Sequence, residues 1–223
     1  MRVGGRGIPL AAFCLVAVVD LGSLAVGFTP GHVVAKPLLM PLLAVYARVC
    51  GGPRLLVAAL LCGWGGDVLL LFDAEPAFLA GMGCFAAGHV CYLVLFGRPA
   101  LRAPAWVPPA YVFALLATVS GLWPDLPADL RVPVAGYSAL LVAMAAAATR
   151  MGLAAGIGGA LFVLSDMLIA TGVAGWPQLA RPDLWIMLTY VAAQFLLVSG
   201  VLKALGTRSA PAPAYGETST DTP

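Results

Sequence analysis

Three aspartates, Asp20, Asp67 and Asp166, stand inside long apolar runs of this 223-residue chain. A carboxylate near the centre of a bilayer costs about 2.5–3.5 kcal/mol on an insertion scale. An interhelical polar contact in a membrane returns only about 0.6 kcal/mol on average. Acids kept against that cost point to chemistry. Asp67 lies 13 residues after Arg54, and Asp166 lies 13 after Leu153. At 1.5 Å rise per residue, both fall roughly 20 Å along their helices, so the two carboxyls are expected at one depth. In low dielectric, desolvation and mutual repulsion let such a pair hold one proton between them. One member can then donate a proton while the other answers a developing cation. That arrangement suits general acid catalysis, worth about 10²–10⁴-fold, but it also suits a proton relay or a cation site. Asp20 has no matching motif around it, and helix pairing accounts for it better.

Other polar groups fall in the same runs. His89 is mid-span with Tyr92 beside it. Ala77, Gly81, Cys84 and Gly88 form a small-residue stripe at helical spacing on the same segment, which lets a second helix approach closely. His89 and Tyr92 flank that stripe and are expected to point into the bundle. Tyr190 and Gln194 are four apart and share a face, while Tyr137 sits near one end of its span. Lys36 either snorkels from its span or faces the acids or a phosphate. These groups are expected to line a polar cavity open to one leaflet.

The elements that must position them are helices in lipid. Hydrophobic residues make up 61% of the chain and charged residues only 10%, against about 25% charged in a soluble domain. That composition excludes an ordinary soluble domain, a disordered chain and a nucleic-acid binder. Turn residues and charges divide the sequence into eight spans of about 20 residues, at 8–28, 33–49, 54–72, 76–96, 105–122, 131–149, 153–172 and 184–205. The expected fold is therefore all-α, a single bundle of eight transmembrane helices over residues 1–206. Residues 207–223, rich in Ser, Thr, Pro and Ala, are expected to form a disordered cytoplasmic tail.

With the N-terminus inside, nine cations fall on the cytoplasmic side: Arg2, Arg6, Arg48, Arg54, Arg98, Arg102, Arg150, Lys203 and Arg208. Only Lys36, Arg131 and Arg181 fall outside. This positive-inside bias places both termini in the cytoplasm of a multi-pass cell-membrane protein, with Trp123, Trp176 and Trp185 in an outer aromatic belt. The apolar run after Arg6 is too long for a signal peptide and is broken by Asp20, so a retained first helix is expected. The echo between Gly66-Asp67-Val68-Leu69-Leu70 and Ser165-Asp166-Met167-Leu168-Ile169 leaves open a duplicated four-helix unit. Cys14, Cys50, Cys62, Cys84 and Cys91 form no CxxC or Cys/His cluster. They read as core hydrophobes, and neither a metal nor a cofactor is expected.

Taken in order, Lys36-Pro37, Gly66-Asp67, then Phe78, Gly81, Phe85, His89 and Tyr92, Tyr137, then Gly159, Ala160, Phe162, Ser165 and Asp166, and finally Tyr190 with Gln194 resemble the YhhN-like family of integral membrane lysoplasmalogenases. The resemblance runs from about residue 33 to 200. It implies hydrolysis of the sn-1 vinyl ether of a lysoplasmalogen to a fatty aldehyde and a glycerophospho-alcohol. Its catalytic pair would be Asp67 and Asp166, with Lys36, His89, Tyr92, Tyr137, Ser165, Tyr190 and Gln194 supporting or binding a lysophospholipid. Lys36 would hold the headgroup phosphate and His89 would orient a carboxyl or water. No GxSxG nucleophile is present, and vinyl ether cleavage needs none. The alternatives are a proton- or cation-coupled transporter, a metal hydrolase for which one intramembrane His is too few, and a structural scaffold. The run Ala145 to Ala148 and the Pro-rich fifth region match nothing in the family pattern. The oligomeric state is not legible.

Overall fold

The computed structural model describes residues 4–97 and 101–208. It is all helical there, with α1 (Gly4–Val26), α2 (Thr29–Val49), α3 (Arg54–Leu69), α4 (Glu75–Phe96), α5 (Val107–Leu122), α6 (Ala128–Ala148), α7 (Leu153–Val173) and α8 (Pro182–Arg208). Each expected span has its helix. Six of the eight, all but α3 and α5, are long and apolar enough to cross a membrane. The chain is a multi-pass membrane protein. Helix α8 runs two residues past the expected end of the bundle. The break at Arg98-Pro99 and the tail from residue 209 onward lie outside the described residues.

The helix ends follow local chemistry. Prolines occupy the first turns of α2, α4 and α5, where a missing N–H costs nothing. Between α2 and α3, Gly51 takes φ 82°. Gly152, with φ 113°, separates a 3₁₀ turn at Thr149–Met151 from α7. Both angles suit glycine alone among common residues. The breaks are therefore sharp and the connections short.

Small residues decide which helices touch closely. The α4 stripe meets α3 as expected: a Cβ on Gly88 would lie 3.1 Å from the Ala59 carbonyl, and one on Gly81 3.4 Å from the Gly66 carbonyl. Helices α7 and α8 are closer still. A Cβ on Gly158 would lie 2.8 Å from both the Ala193 carbonyl and the Leu197 nitrogen, and one on Gly200 2.6 Å from the Ala155 nitrogen. Leu39, Met40, Leu43, Leu60, Met144 and Leu197 are fully buried at the centre of the main core. Helix α5 stands apart. Only Val107 and Leu122 of it are buried, and Leu122 joins a small satellite core with Leu126, Leu130 and Val134.

The α7–α8 contact generates a stability prediction. Gly158→Leu meets the α8 backbone at two points, so it is expected to cost about 1–3 kcal/mol or more and to lower the thermal midpoint of the protein in nanodiscs. Gly83→Leu on α4, where a Cβ meets nothing within 4 Å, should leave the midpoint in place. Equal midpoints for the two variants would contradict the packing described.

Candidate active site

Asp67 lies near the end of α3 and is 2% exposed. Gly66 before it has no side chain, and a Cβ there would lie 2.5 Å from the Phe85 ring. The glycine thus lets α4 set Phe85 beside the acid. From α8, the Tyr190 hydroxyl donates to Asp67 Oδ2 at 2.8 Å. Gln194 Nε2 donates to Tyr190 at 3.4 Å, and the Tyr92 hydroxyl of α4 donates to Gln194 Oε1 at 2.8 Å. A buried carboxylate, an amide and two phenols from three helices form one chain. The Lys36, Asp20 and Asp166 charges also act on Asp67, and Lys36 is buried in α2.

Asp166 lies on α7 and takes its hydrogen bond from a different helix. The Tyr137 hydroxyl of α6 donates to Asp166 Oδ2. His89 Nε2 of α4 stands 3.1 Å from the same hydroxyl. Since that hydroxyl gives its proton to Asp166, His89 Nε2–H donates to the Tyr137 oxygen. His89 Nδ1 is then an acceptor, with no partner among the described residues. The edge of Phe162 packs on the imidazole at 4.9 Å between centroids.

The two carboxyls are not hydrogen-bonded to each other among the described residues. Phe85, Phe162 and Tyr190, packed edge to face at 5.5–6.3 Å between centroids, connect the two tyrosine-held acids. The polar groups expected to line one cavity fall into two hydrogen-bonded sets, one around Asp67 and one around Asp166. A groove with about 1090 Å³ of empty space, counted to its open side, lies among α4, α5, α6 and α7. Asp166, Tyr137, Ser138, Thr118 and Arg131 are its polar lining, while Phe78, Met82, Phe85, Leu141 and Val163 help form its apolar wall. Asp67 and Lys36 do not line it. Ser165 does not line it either, and its hydroxyl donates to the Ile186 carbonyl of α8 at 3.0 Å, tying α7 to α8.

Two residues outside the expected set enter the picture. His32 Nδ1 lies 2.8 Å from Asp20 Oδ1, so Asp20 does pair α1 with α2. His32 is one turn from Lys36 on α2, a spacing visible in the sequence. Arg131, expected at the outer start of the sixth span, lies in the first turn of α6 and on the groove. No group of three or more His, Cys, Asp or Glu able to hold a metal occurs among the described residues.

A family model described as the YhhN family matches residues 31–201. The chain belongs to the YhhN family. Relatives within reach include lysoplasmalogenase TMEM86B of Homo sapiens, 36% identical over 161 residues, which are 69% of this chain and 66% of that protein. The Rattus norvegicus TMEM86B is 33% identical over 180 residues, 78% of this chain and 73% of its own. A lysoplasmalogenase of Mycobacterium bovis is 32% identical over 189 residues, 76% and 71% respectively. The chain thus spans about two thirds of the human protein it matches. No solved structure matches it. The family match contains both tyrosine-held acids but leaves out Asp20.

The Tyr190–Asp67 bond in this YhhN-family chain yields a direct test. Tyr190→Phe keeps the ring packing on Phe85 and Phe162 but strips the donor from a sealed carboxyl. That loss is expected to cost about 1–3 kcal/mol of stability, read as a lower unfolding midpoint. Thr189→Val, removing a hydroxyl that serves only its own helix's carbonyls, should move it far less. A Tyr190→Phe midpoint equal to wild type would mean the hydroxyl is not needed there.

Proposed function

We propose that this chain is a membrane-embedded lysoplasmalogenase that cleaves the sn-1 vinyl ether of a lysoplasmalogen. The observation that carries the reading is Asp166: a carboxyl held by Tyr137 on one oxygen and lining a groove of otherwise apolar character. The lysoplasmalogenases among its relatives, at 32–36% identity, support the substrate class.

A vinyl ether is stable to base and yields to acid at its β-carbon. In the proposed reaction the protonated Asp166 gives its proton to that carbon. The double bond's electrons form the new C–H bond, and the ether oxygen closes an oxocarbenium ion. Asp166 is now a carboxylate beside the cation, and the Asp67 charge acts from behind the Phe85 and Tyr190 rings. Water adds to the oxocarbenium carbon and returns a proton to Asp166. The hemiacetal then collapses to a fatty aldehyde and a glycerophospho-alcohol. Tyr137, donating to Oδ2, leaves Oδ1 to carry the proton, and His89 keeps the Tyr137 hydroxyl turned toward the acid. Tyr137 and His89 are positioning residues here. General acid catalysis of this kind supplies about 10²–10⁴-fold, and fixed dipoles around the cation supply more.

Asp166→Asn and Asp67→Asn preserve shape and an acceptor for the tyrosine. Each is expected to lower aldehyde release by about a hundredfold or more in purified, folded protein. In D₂O the wild type should place one deuterium on the aldehyde's α-carbon, read after reductive trapping. A tenth or more of wild-type activity in either variant removes that carboxyl from the chemistry. An unlabelled aldehyde removes the protonation step itself.

We further propose that the protein resides in the cell membrane with both termini cytoplasmic, since Arg48, Arg54, Arg102 and Arg150 fall at one set of helix ends and Arg131 and Arg181 at the other. A reporter fused at the C-terminus is expected to be active only in the cytoplasm. Activity only on the far side inverts the orientation.

A further inference from the structure

The groove carries one cation on its wall. Arg131 stands in the first turn of α6, half-buried, with its side chain on the groove. Its Nε donates to the Leu126 carbonyl at 3.1 Å and its Nη2 to the Pro124 carbonyl at 3.2 Å. The guanidinium carbon lies 6.0 Å from the centre of the Trp123 ring. These contacts hold the guanidinium in one orientation without neutralising it. Nη1 has no partner among the described residues. A fixed guanidinium without a carboxylate, set at the end of an apolar groove, is suited to an anion, and its planar fork matches phosphate.

Depth and length narrow the choice of anion. Trp123 and Trp176, both partly exposed, lie at the same end of the bundle as Arg131. Tryptophans gather at the headgroup level of a bilayer, which is where lipid phosphates lie. Arg131 precedes Tyr137 by six positions on α6, an axial rise of about 9 Å. In a lysoplasmalogen six single bonds separate the enol ether carbon from phosphorus, and at about 1.5 Å each they extend to roughly 7–8 Å. The rise between these two positions on α6 is thus of the same order as the reach from phosphate to scissile ether.

Resting on the reading of the groove as the place where the vinyl ether is cleaved, we infer that Arg131 binds the phosphodiester of the lysophospholipid at the rim of the groove, with the glycerol reaching to Asp166 and the single chain lying along Leu141, Val142 and Val163. The phosphate contact thus falls to Arg131 and not to Lys36, which is buried near the other carboxyl and away from the groove. The substrate keeps its phosphate at the depth it has in the surrounding leaflet, so it reaches the site by sideways movement.

The test uses the full chain in nanodiscs and two substrates, a 1-alkenyl-glycerophosphocholine and the 1-alkenylglycerol that lacks phosphate. Arg131→Gln is expected to raise the ratio of their KM values, phosphorylated over unphosphorylated, by about tenfold or more. Arg131→Lys, which keeps the charge and loses the fork, should fall between. Ala114→Trp, filling the groove from α5, should raise both KM values and leave the ratio alone. An unchanged ratio in both Arg131 variants overturns the assignment while hydrolysis stands. Binding of the unreactive 1-alkyl lysophospholipid separates the two failures. If neither alkenyl substrate turns over, the proposed hydrolysis falls, and a loss of about tenfold in 1-alkyl lysophospholipid affinity in Arg131→Gln still upholds the phosphate site. If Arg131→Gln does not fold, Arg131→Lys carries the same two comparisons, and wild-type values from it overturn the inference.

Discussion

A carboxyl inside hydrocarbon must take its hydrogen bonds from another helix, and this requirement organises the bundle. Tyr190 of α8 serves Asp67 of α3, Tyr137 of α6 serves Asp166 of α7, and His32 of α2 serves Asp20 of α1. Tyr92 of α4 joins the first set through Gln194. Every helix except α5 is therefore held by at least one side-chain bond that water cannot replace at that depth. Removing one partner leaves a sealed polar atom, which is far more costly than removing both. The polar groups fix which helices meet, and the glycines on α3, α4, α7 and α8 fix how close they come.

The two Asp motifs look alike in sequence and behave differently in space. Asp67 is closed off, beside Tyr190 and within reach of the Lys36 charge, and it does not line the groove. Asp166 has one oxygen held by Tyr137 and a side on the groove. The difference arises from the neighbours of each acid. Helix α6 brings a tyrosine to Asp166 and leaves open space beside it, whereas α8 brings a tyrosine to Asp67 whose ring fills that space. The proposed reaction uses this difference: Asp166 would meet the lipid from open surroundings, and Asp67 would contribute charge from sealed ones.

Much of this was legible in the sequence. Gly51-Gly52-Pro53, Trp123-Pro124 and Arg150 marked helix breaks that the fold respects, and the stripe at Gly81, Cys84 and Gly88 does meet another helix through α3. The starts at Arg54 and Leu153 preserve the 13-residue offsets of both acids. The partners of those acids were not legible. Tyr190 and Tyr137 could each be named as inward-facing, but which carboxyl each serves depends on how α6 and α8 lie across α3 and α7, and periodicity along one helix carries no such information. Arg131 read as an outer charge at the start of its span, and its place on the groove depends on how α5 and α7 lie against α6, which a hydropathy pattern does not contain. His32, one turn from Lys36, was the missed signal of another kind, a spacing that the sequence did contain.

Helix α5 explains why the groove exists at all. Val112, Phe113 and Leu116 are more than half exposed, and Pro108 and Pro109 stand in its first turn. Bound to its neighbours by a small core around Leu122, Leu126, Leu130 and Val134, it lacks the buried polar bonds that lock the other seven helices. Dispersion alone holds an apolar helix weakly against its neighbours when lipid tails offer nearly equivalent contacts. The wall of the groove formed by Ala114, Leu115, Thr118 and Val119 is thus its least constrained side. The opposite wall, carrying Asp166 and Tyr137, belongs to the tied part of the bundle. In the proposed reaction, accurate placement of a proton donor and accommodation of a flexible hydrocarbon chain make opposite demands on rigidity, and they fall on different helices.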